Sequence, residues 1–243
     1  NTVRADGSWP IDVNLSTWVT SLAVRALDGD LPDEQKNSIR SYLLENQWKE
    51  EHPFTHAAPG GWGWTYEKGG VPDADDTAAA LIALRRLGCD ADAPEKGIRW
   101  LLDLQNRDGG MPTFCKGWGK LPFDRSCPDL TAHMIRAFIV WRGAVDSGLS
   151  AEIEHSIRRG LRYLKKQQRA DGSWLPLWFG SQANRNHENP VYGTVRVLEA
   201  LRELDEAEFP VVGEMRRRGF LWLEAAQNPD GGWGSSVEET ALA

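Results

Sequence analysis

Three carboxylates crowd into four residues at Asp73-Ala74-Asp75-Asp76, directly ahead of the apolar run 77–84. One Asp at a helix N-terminus is ordinary capping, and a second in the first turn is favoured by the helix dipole. A third is not needed for either purpose. Crowded carboxylates repel, share a proton and raise at least one pKa. A carboxyl that keeps its proton and faces an apolar cavity is a general acid. A second constellation is Asp129-Leu130-Thr131-Ala132-His133, whose acid and imidazole stand at i and i+4 on one helix face. It reads either as a capping Asp with a buried, satisfied His, or as support for the acid. In the second reading Asp129 orients His133, and His133 reaches an acid on a neighbouring helix. A cationic His on the far oxygen of a protonated Asp increases its acidity.

Groups so distant in sequence need a repeated scaffold to converge, and the chain contains one. Arg-Ala-Asp-Gly-Ser-Trp occurs at 4–9 and at 169–174, with related Gly-rich turns at 106–110 and 228–233. Each later turn follows a charged helical segment. In it Gly97, Gly160 or Gly219 stands 8 residues before Gln105, Gln168 or Gln227, with Trp100, Tyr163 or Trp222 three after the Gly. A degenerate earlier copy ends at Gln47. A second set of segments aligns on Thr20, Thr77, Thr131, Thr194 and Thr240 and is apolar nearly all round, as buried helices are. Outer and inner helices alternating every 55–60 residues or so describe an all-α fold, an α/α toroid whose inner helices line a cavity. The residues two before each aligned Thr are Trp18, Asp75, Asp129, Tyr192 and Glu238, and the pattern predicts that they gather at one mouth. Residues 1–243 are read as one domain of about four helix pairs, a partial ring. The chain opens on a turn without an initiator Met, and the expectation is a fragment of a larger protein.

Composition narrows the partners. The 12 Trp exceed the 7 Phe and 4 Tyr combined, so the fold uses indole repeatedly. A net charge of −7, from 35 acidic and 28 basic residues, argues against nucleic acid as the main partner. Cys89, Cys115 and Cys127 make no paired framework, which predicts free thiols in a reducing, cytoplasmic setting. No apolar run approaches the roughly 18 residues of a membrane span.

Taken together the motifs resemble the triterpene cyclase family, above all the bacterial squalene–hopene cyclases. Residues 73–76 fit the family's DxDD motif, and the Gly-to-Gln helices with their Gly-Ser-Trp or Gly-Gly-Trp turns fit its QW repeats. Residues 129–133 fit its DxTAH stretch, Tyr192-Gly193-Thr194 its YGT, and 59–64 the stretch leading into DxDD. The resemblance covers essentially the whole chain. It implies an (α/α)6 barrel, the catalytic one of two such domains, with the second barrel domain supplied by the parent chain. It implies protonation of a linear polyprenyl hydrocarbon such as squalene, then cyclisation through carbocations, with no metal and no cofactor. Asp75 would protonate the substrate, flanked by Asp73 and Asp76, with His133 and Asp129 supporting its acidity. Tyr192 would join that network or reload the proton through water. Trp18 and Trp64 would line the cavity and stabilise cations, and Trp178 and Phe179 resemble the family's pocket aromatics. The parent would touch a membrane peripherally.

The sequence also departs from the pattern. One turn reads Gly110-Met111 without Trp, and Leu175 through Asn189 form an insert, with His187 and Glu188 read as surface residues. Without the partner domain the cavity would be open and wet, so these residues alone are expected to be inactive on squalene. Three rival readings remain at this level. One is a zinc-dependent protein prenyltransferase-like subunit using Cys115, Cys127, Asp129 and His133. The others are a class II diterpene cyclase and a non-catalytic toroid scaffold.

Overall fold

A computed structural model of the chain describes residues 14–27, 30–67, 69–90, 93–119, 121–182 and 184–243. The first Gly-Ser-Trp turn, with Trp9, lies outside them. The described residues form α1 (Ser16–Leu27), α2 (Asp33–Glu45), α3 (Ala74–Arg86), α4 (Glu95–Leu104), α5 (Pro128–Trp141), α6 (Ser147–Gln167), α7 (Pro190–Arg202), α8 (Val211–Ala225) and α9 (Val237–Leu242), with a short 3-10 turn at Pro122–Asp124. Extended pairing among them is limited to isolated bridges.

The helices alternate as the repeat predicts. α1, α3, α5, α7 and α9 pack side by side in chain order, while α2 and α4 pack on α3, α6 on α5 and α8 on α7. The two sets differ in sequence for a physical reason. α5 starts on Pro128, pre-set for the first turn, and buries every residue from Pro128 to Phe138. α6 is amphipathic: Leu149, Ile153, Ile157, Gly160, Leu161 and Leu164 face inward at helical spacing. Its N-terminus is capped by Asp146, which accepts from the amides of Gly148 and Leu149.

The Gln, Gly, Trp and Thr of the repeat form one joint. The Nε2 of Gln47, Gln105, Gln168 and Gln227 donates to the carbonyls of Gly60, Gly109, Gly172 and Gly231 at 2.8, 2.8, 2.9 and 2.9 Å. The indole N–H of Trp62, Trp174 and Trp233 donates to Leu43, Leu164 and Leu223, each four residues before the repeat Gln, at 2.7–2.8 Å. The next inner helix is then tied to the turn through its Thr. The hydroxyls of Thr77, Thr131, Thr194 and Thr240 accept from the amides of Trp62, Met111, Trp174 and Trp233 at 2.9–3.0 Å. The helix Gly leaves room for the indole: a Cβ on Gly97 would lie 2.5 Å from the Trp62 ring. Met111 keeps the Thr bond through its amide but has no side-chain N–H to offer an outer helix.

Two further Trp are placed by the fold. Trp62 is a repeat joint; it was hidden because 15 residues, not 6, separate it from its Gln. Trp141 is fully buried between α5 and α3 and donates to the Leu81 carbonyl at 2.9 Å.

Candidate active site

The acidic motif is held by backbone before its side chains matter. Asp73 is the N-cap of α3 and sits in isolated bridges to both Trp62 and Phe114. Its Oδ1 accepts from the Asp76 amide at 2.7 Å. The bland role predicted for one Asp, capping, therefore belongs to Asp73. That leaves Asp75, in the first turn, free to look outward from the helix end.

Asp73, Asp75 and Asp76 line a cavity of about 380 Å³ with Leu15, Trp18, Trp64, Thr113, Phe114, Phe123, Leu130, Trp178 and Phe179. Among its lining residues only the three Asp are ionisable. Asp75 is the carboxylate most open to it, its side chain 19% exposed against 3% and 5% for residues Asp73 and Asp76. The opposite wall is aromatic. Phe114, Trp118 and Phe123 pack tilted or edge-on at 5.1–5.8 Å, and Trp178 lies 4.9 Å from Phe123. Trp64 meets Phe114 edge-on at 6.4 Å. The 175–189 insert thus delivers Trp178 and Phe179 to the cavity, while His187 is exposed and Glu188 pairs with Arg169 at 3.4 Å.

His133 does reach an acid on the neighbouring inner helix: its Nδ1 lies 2.5 Å from Asp75 Oδ1, with both groups largely buried. Asp129 does not orient it. Asp129 Oδ1 instead accepts from the Cys127 thiol at 2.6 Å, and its Oδ2 is buried without a partner. Cys127 Sγ in turn accepts from the Leu177 amide at 3.1 Å, tying the insert to the floor of the site. The five aligned positions do not all converge. Trp18 and Asp75 line the cavity, and Asp129 lies behind it. Tyr192 stacks on Phe179 at 5.0 Å, and Glu238 is exposed on α9.

The three carboxylates titrate differently. Burial, reinforced by the neighbouring Asp76, pushes Asp73 well above the usual carboxylate value. Burial and the charge of Asp75 push Asp76 up to about 7. Burial also works to raise Asp75, but the hydrogen bond and charge of His133, aided by Arg196, hold it below its ordinary value. Burial lowers His133, Arg196 and Arg136 lower it further, and Asp75 pulls the other way. The proton-retaining carboxyls of the motif are thus the flanking two, not the central one. Asp129, raised to about 6 by burial with Asp75 adding to it, stands behind them.

Arg196 is a site residue that the sequence reading missed. Its signal was present: Tyr192 and Arg196 are i and i+4 on α7, whose other charges, Glu199 and Arg202, lie further along the helix. The zinc set does not assemble, since His133 bonds Asp75 and Cys127 bonds Asp129. Among the described residues no three His, Cys, Asp or Glu side chains group as metal ligands. No helix there is long and apolar enough to cross a membrane.

Known proteins resemble this chain in sequence and fold. The chain is 33% identical over 201 residues to the terpene cyclase–glycosyl transferase fusion protein fsoA of Humicola fuscoatra, covering 74% of this chain and 14% of that protein. It is 30% identical over 307 residues to the squalene–hopene cyclase of Alicyclobacillus acidocaldarius, covering 93% and 46% respectively. Its structure superposes on ent-copalyl diphosphate synthase from Streptomyces platensis with a TM-score of 0.68 and 25% identity, over 98% of this chain and 40% of that one. The chain therefore spans less than half the length of each. Residues 15–241 match the squalene-hopene cyclase C-terminal domain. This chain therefore belongs to the squalene-hopene cyclase C-terminal domain family.

Proposed function

We propose that these residues are the acid-bearing part of a class II terpene cyclase, a protein that starts cyclisation of a neutral polyprenyl chain by protonating it. The observation that carries this is the 2.5 Å Asp75–His133 contact at the edge of a cavity whose other walls are aromatic and aliphatic. Alkenes are very weak bases, so the donor must be strong, and the charged and hydrogen-bonded form of His133 makes Asp75 stronger. In the step, a carboxyl O–H of Asp75 breaks, its proton forms a C–H bond at the terminal double bond, and the π electrons move to that bond. The cation left on the adjacent carbon is attacked by the next double bond in turn. Loss of a proton or capture of water ends the sequence. His133 holds the carboxylate that remains. Asp73 and Asp76, which keep protons to higher pH, stand beside it as the reserve from which it is reloaded.

The cavity lining supports a hydrocarbon or similarly neutral end for the substrate at the acid, because no cationic side chain faces it. Squalene fits that chemistry. Trp18, Trp64, Phe123 and Trp178 would meet developing cations with their ring faces, an attraction of about 2 kcal/mol when water is excluded. The chain is proposed to act within a longer protein whose other barrel closes the cavity. Support comes from the greater length of the relatives and from the exposed Leu15, just before α1, and Val19 and Leu22 on it. The test is the Asp75→Asn variant of that full-length protein on squalene, with products read by mass spectrometry. Loss of all cyclised product is expected; unchanged product would reject Asp75 as the donor.

A further inference from the structure

The tip of the insert has a slight grip on the rest of the fold. Leu177, Trp178 and Phe179 are each 37–39% exposed, so packing holds them weakly. Other bonds in the segment are local: the Gly180 amide donates to the Trp178 carbonyl and the Ser181 amide to the His187 carbonyl. Among the described residues, the only hydrogen bond from 175–182 to another element runs from the Leu177 amide to Cys127 Sγ at 3.1 Å. The post at the other end of that bond is rigid. The Cys127 amide donates to the Met111 carbonyl at 2.9 Å, and its own carbonyl accepts from the Thr131 amide and hydroxyl at 3.0 and 2.7 Å. Its side chain is fully buried. The bonds of the thiol run in one direction. An amide N–H only donates and an ionised carboxylate only accepts, so Cys127 accepts from Leu177 and donates to Asp129 Oδ1 at 2.6 Å. Burial and the charge of Asp129 hold the thiol well above its ordinary value, so it keeps the proton that this bond needs. Donating to a charged acceptor polarises the sulfur and strengthens it as an acceptor.

We propose that Cys127 is a positioning residue whose thiol moors the insert and thereby sets which products the cavity releases. Trp178 and Phe179 follow Leu177 directly and line the cavity beside Asp75. Trp178 stands 4.9 Å from Phe123, and Phe179 stacks on Tyr192 at 5.0 Å. With Leu177 moored, both rings stay beside the space in which a carbocation forms and keep water from it. With Leu177 released, the tip of the insert swings outward and water enters early. The oxygen of that water forms a C–O bond to the cation and one of its protons leaves to solvent, so cyclisation stops at an alcohol with fewer rings. Cys127 itself does not line the cavity, and Asp75 and His133 bond each other without it. The effect on products rests on this domain being a cyclase; the mooring does not.

The experiment uses the full-length protein and reads two signals: hydrogen–deuterium exchange of the 175–182 segment by mass spectrometry, and the products formed from squalene. In Cys127→Ala the segment exchanges about tenfold faster, as loss of its tether requires, and the product mixture shifts toward alcohols with fewer rings. Cys127→Ser keeps a donor and an acceptor, so exchange stays within about threefold of the unaltered protein and the product pattern is restored. Cys89→Ala, which removes a buried thiol beyond the other end of α3, moves neither signal. If Cys127→Ala does not fold, Leu177→Pro removes the N–H from the half-exposed end of the same bond and gives the same shifts in residues 178–182 and in products. Unchanged exchange in Cys127→Ala or Leu177→Pro, an equal rise in Cys127→Ser, or faster exchange with the same products would overturn the proposal. A protein that makes no cyclised product would refute the cyclase reading instead, and the exchange rates would still decide the mooring.

Discussion

Asp76→Asn should stabilise the folded chain, and should do so only as pH rises. Asp76 is 5% exposed, its Oδ1 is buried without a partner, and its carboxyl is raised from 3.8 to about 7 by burial and by Asp75. A carboxyl whose folded pKa is raised holds a proton that the unfolded chain has already released. Folding then takes up that proton, and stability falls as pH climbs from the unfolded value through the folded one. The window therefore runs from about pH 4 to about pH 7, with the whole cost present above it. Some three units at ~1.4 kcal/mol each set a ceiling of ~4 kcal/mol. Asn removes the charge and the titration at nearly constant shape. Asp73 shares the strain and remains, so a gain of about 2 kcal/mol at pH 8 is the working expectation, with little difference at pH 4. Reversible urea unfolding at pH 4, 5, 6, 7 and 8 measures it directly, through the midpoint at constant slope. Parallel stability curves for the two proteins would refute the reasoning. So would a variant that loses ground at high pH, since either result means Asp76 is not carrying an uncompensated buried charge.

The remaining predictions address the joints and the cavity wall. Gly97→Ala places a methyl 2.5 Å from the Trp62 ring and should cost about 1–3 kcal/mol in urea unfolding, whereas Gly88→Ser, with open space around its Cβ but φ of +69°, should cost about 1 kcal/mol from backbone strain alone. Thr131→Val removes the hydroxyl that serves both the Met111 amide and the Cys127 carbonyl, and should lose about 1–3 kcal/mol by the same assay. In the full-length protein, Trp178→Ala should lower cyclisation about thirtyfold, the rate equivalent of a ~2 kcal/mol cation–π contact, and should release less cyclised products; unchanged rate and product would remove the insert from the site.

Much of the scaffold was legible in the chain because its rules are local. The Gly-to-Gln spacing works because Gly97 and Gly219 clear space for an indole, and Gly109 and Gly172 sit at φ of +94° and +102° against the next outer helix. The Thr alignment works because the hydroxyls of Thr77, Thr131, Thr194 and Thr240 each take one turn amide. Where a loop of extra length intervened, between Gln47 and Trp62, the same joint went unseen until the fold closed it. The acidic triad was equally visible, since crowding of like charge in four residues is a property of sequence.

Which partner each group takes was decided only by the tertiary structure. A spacing of i and i+4 puts Asp129 and His133 on one face but says nothing about what faces them from the next helix. The register between α3 and α5 brings Asp75 to His133 and leaves Asp129 to the Cys127 thiol. That register follows from Asp73 being pinned between Trp62 and Phe114, and from the Thr131 joint at the head of α5. The order of acidity follows in turn. Sequence determined that three carboxylates would crowd and that one at least would resist ionising. Burial and a neighbour 58 residues away decided that Asp73 and Asp76 hold their protons while Asp75 is drawn toward giving its own away, because a charge answers to distance in space and not to distance along the chain.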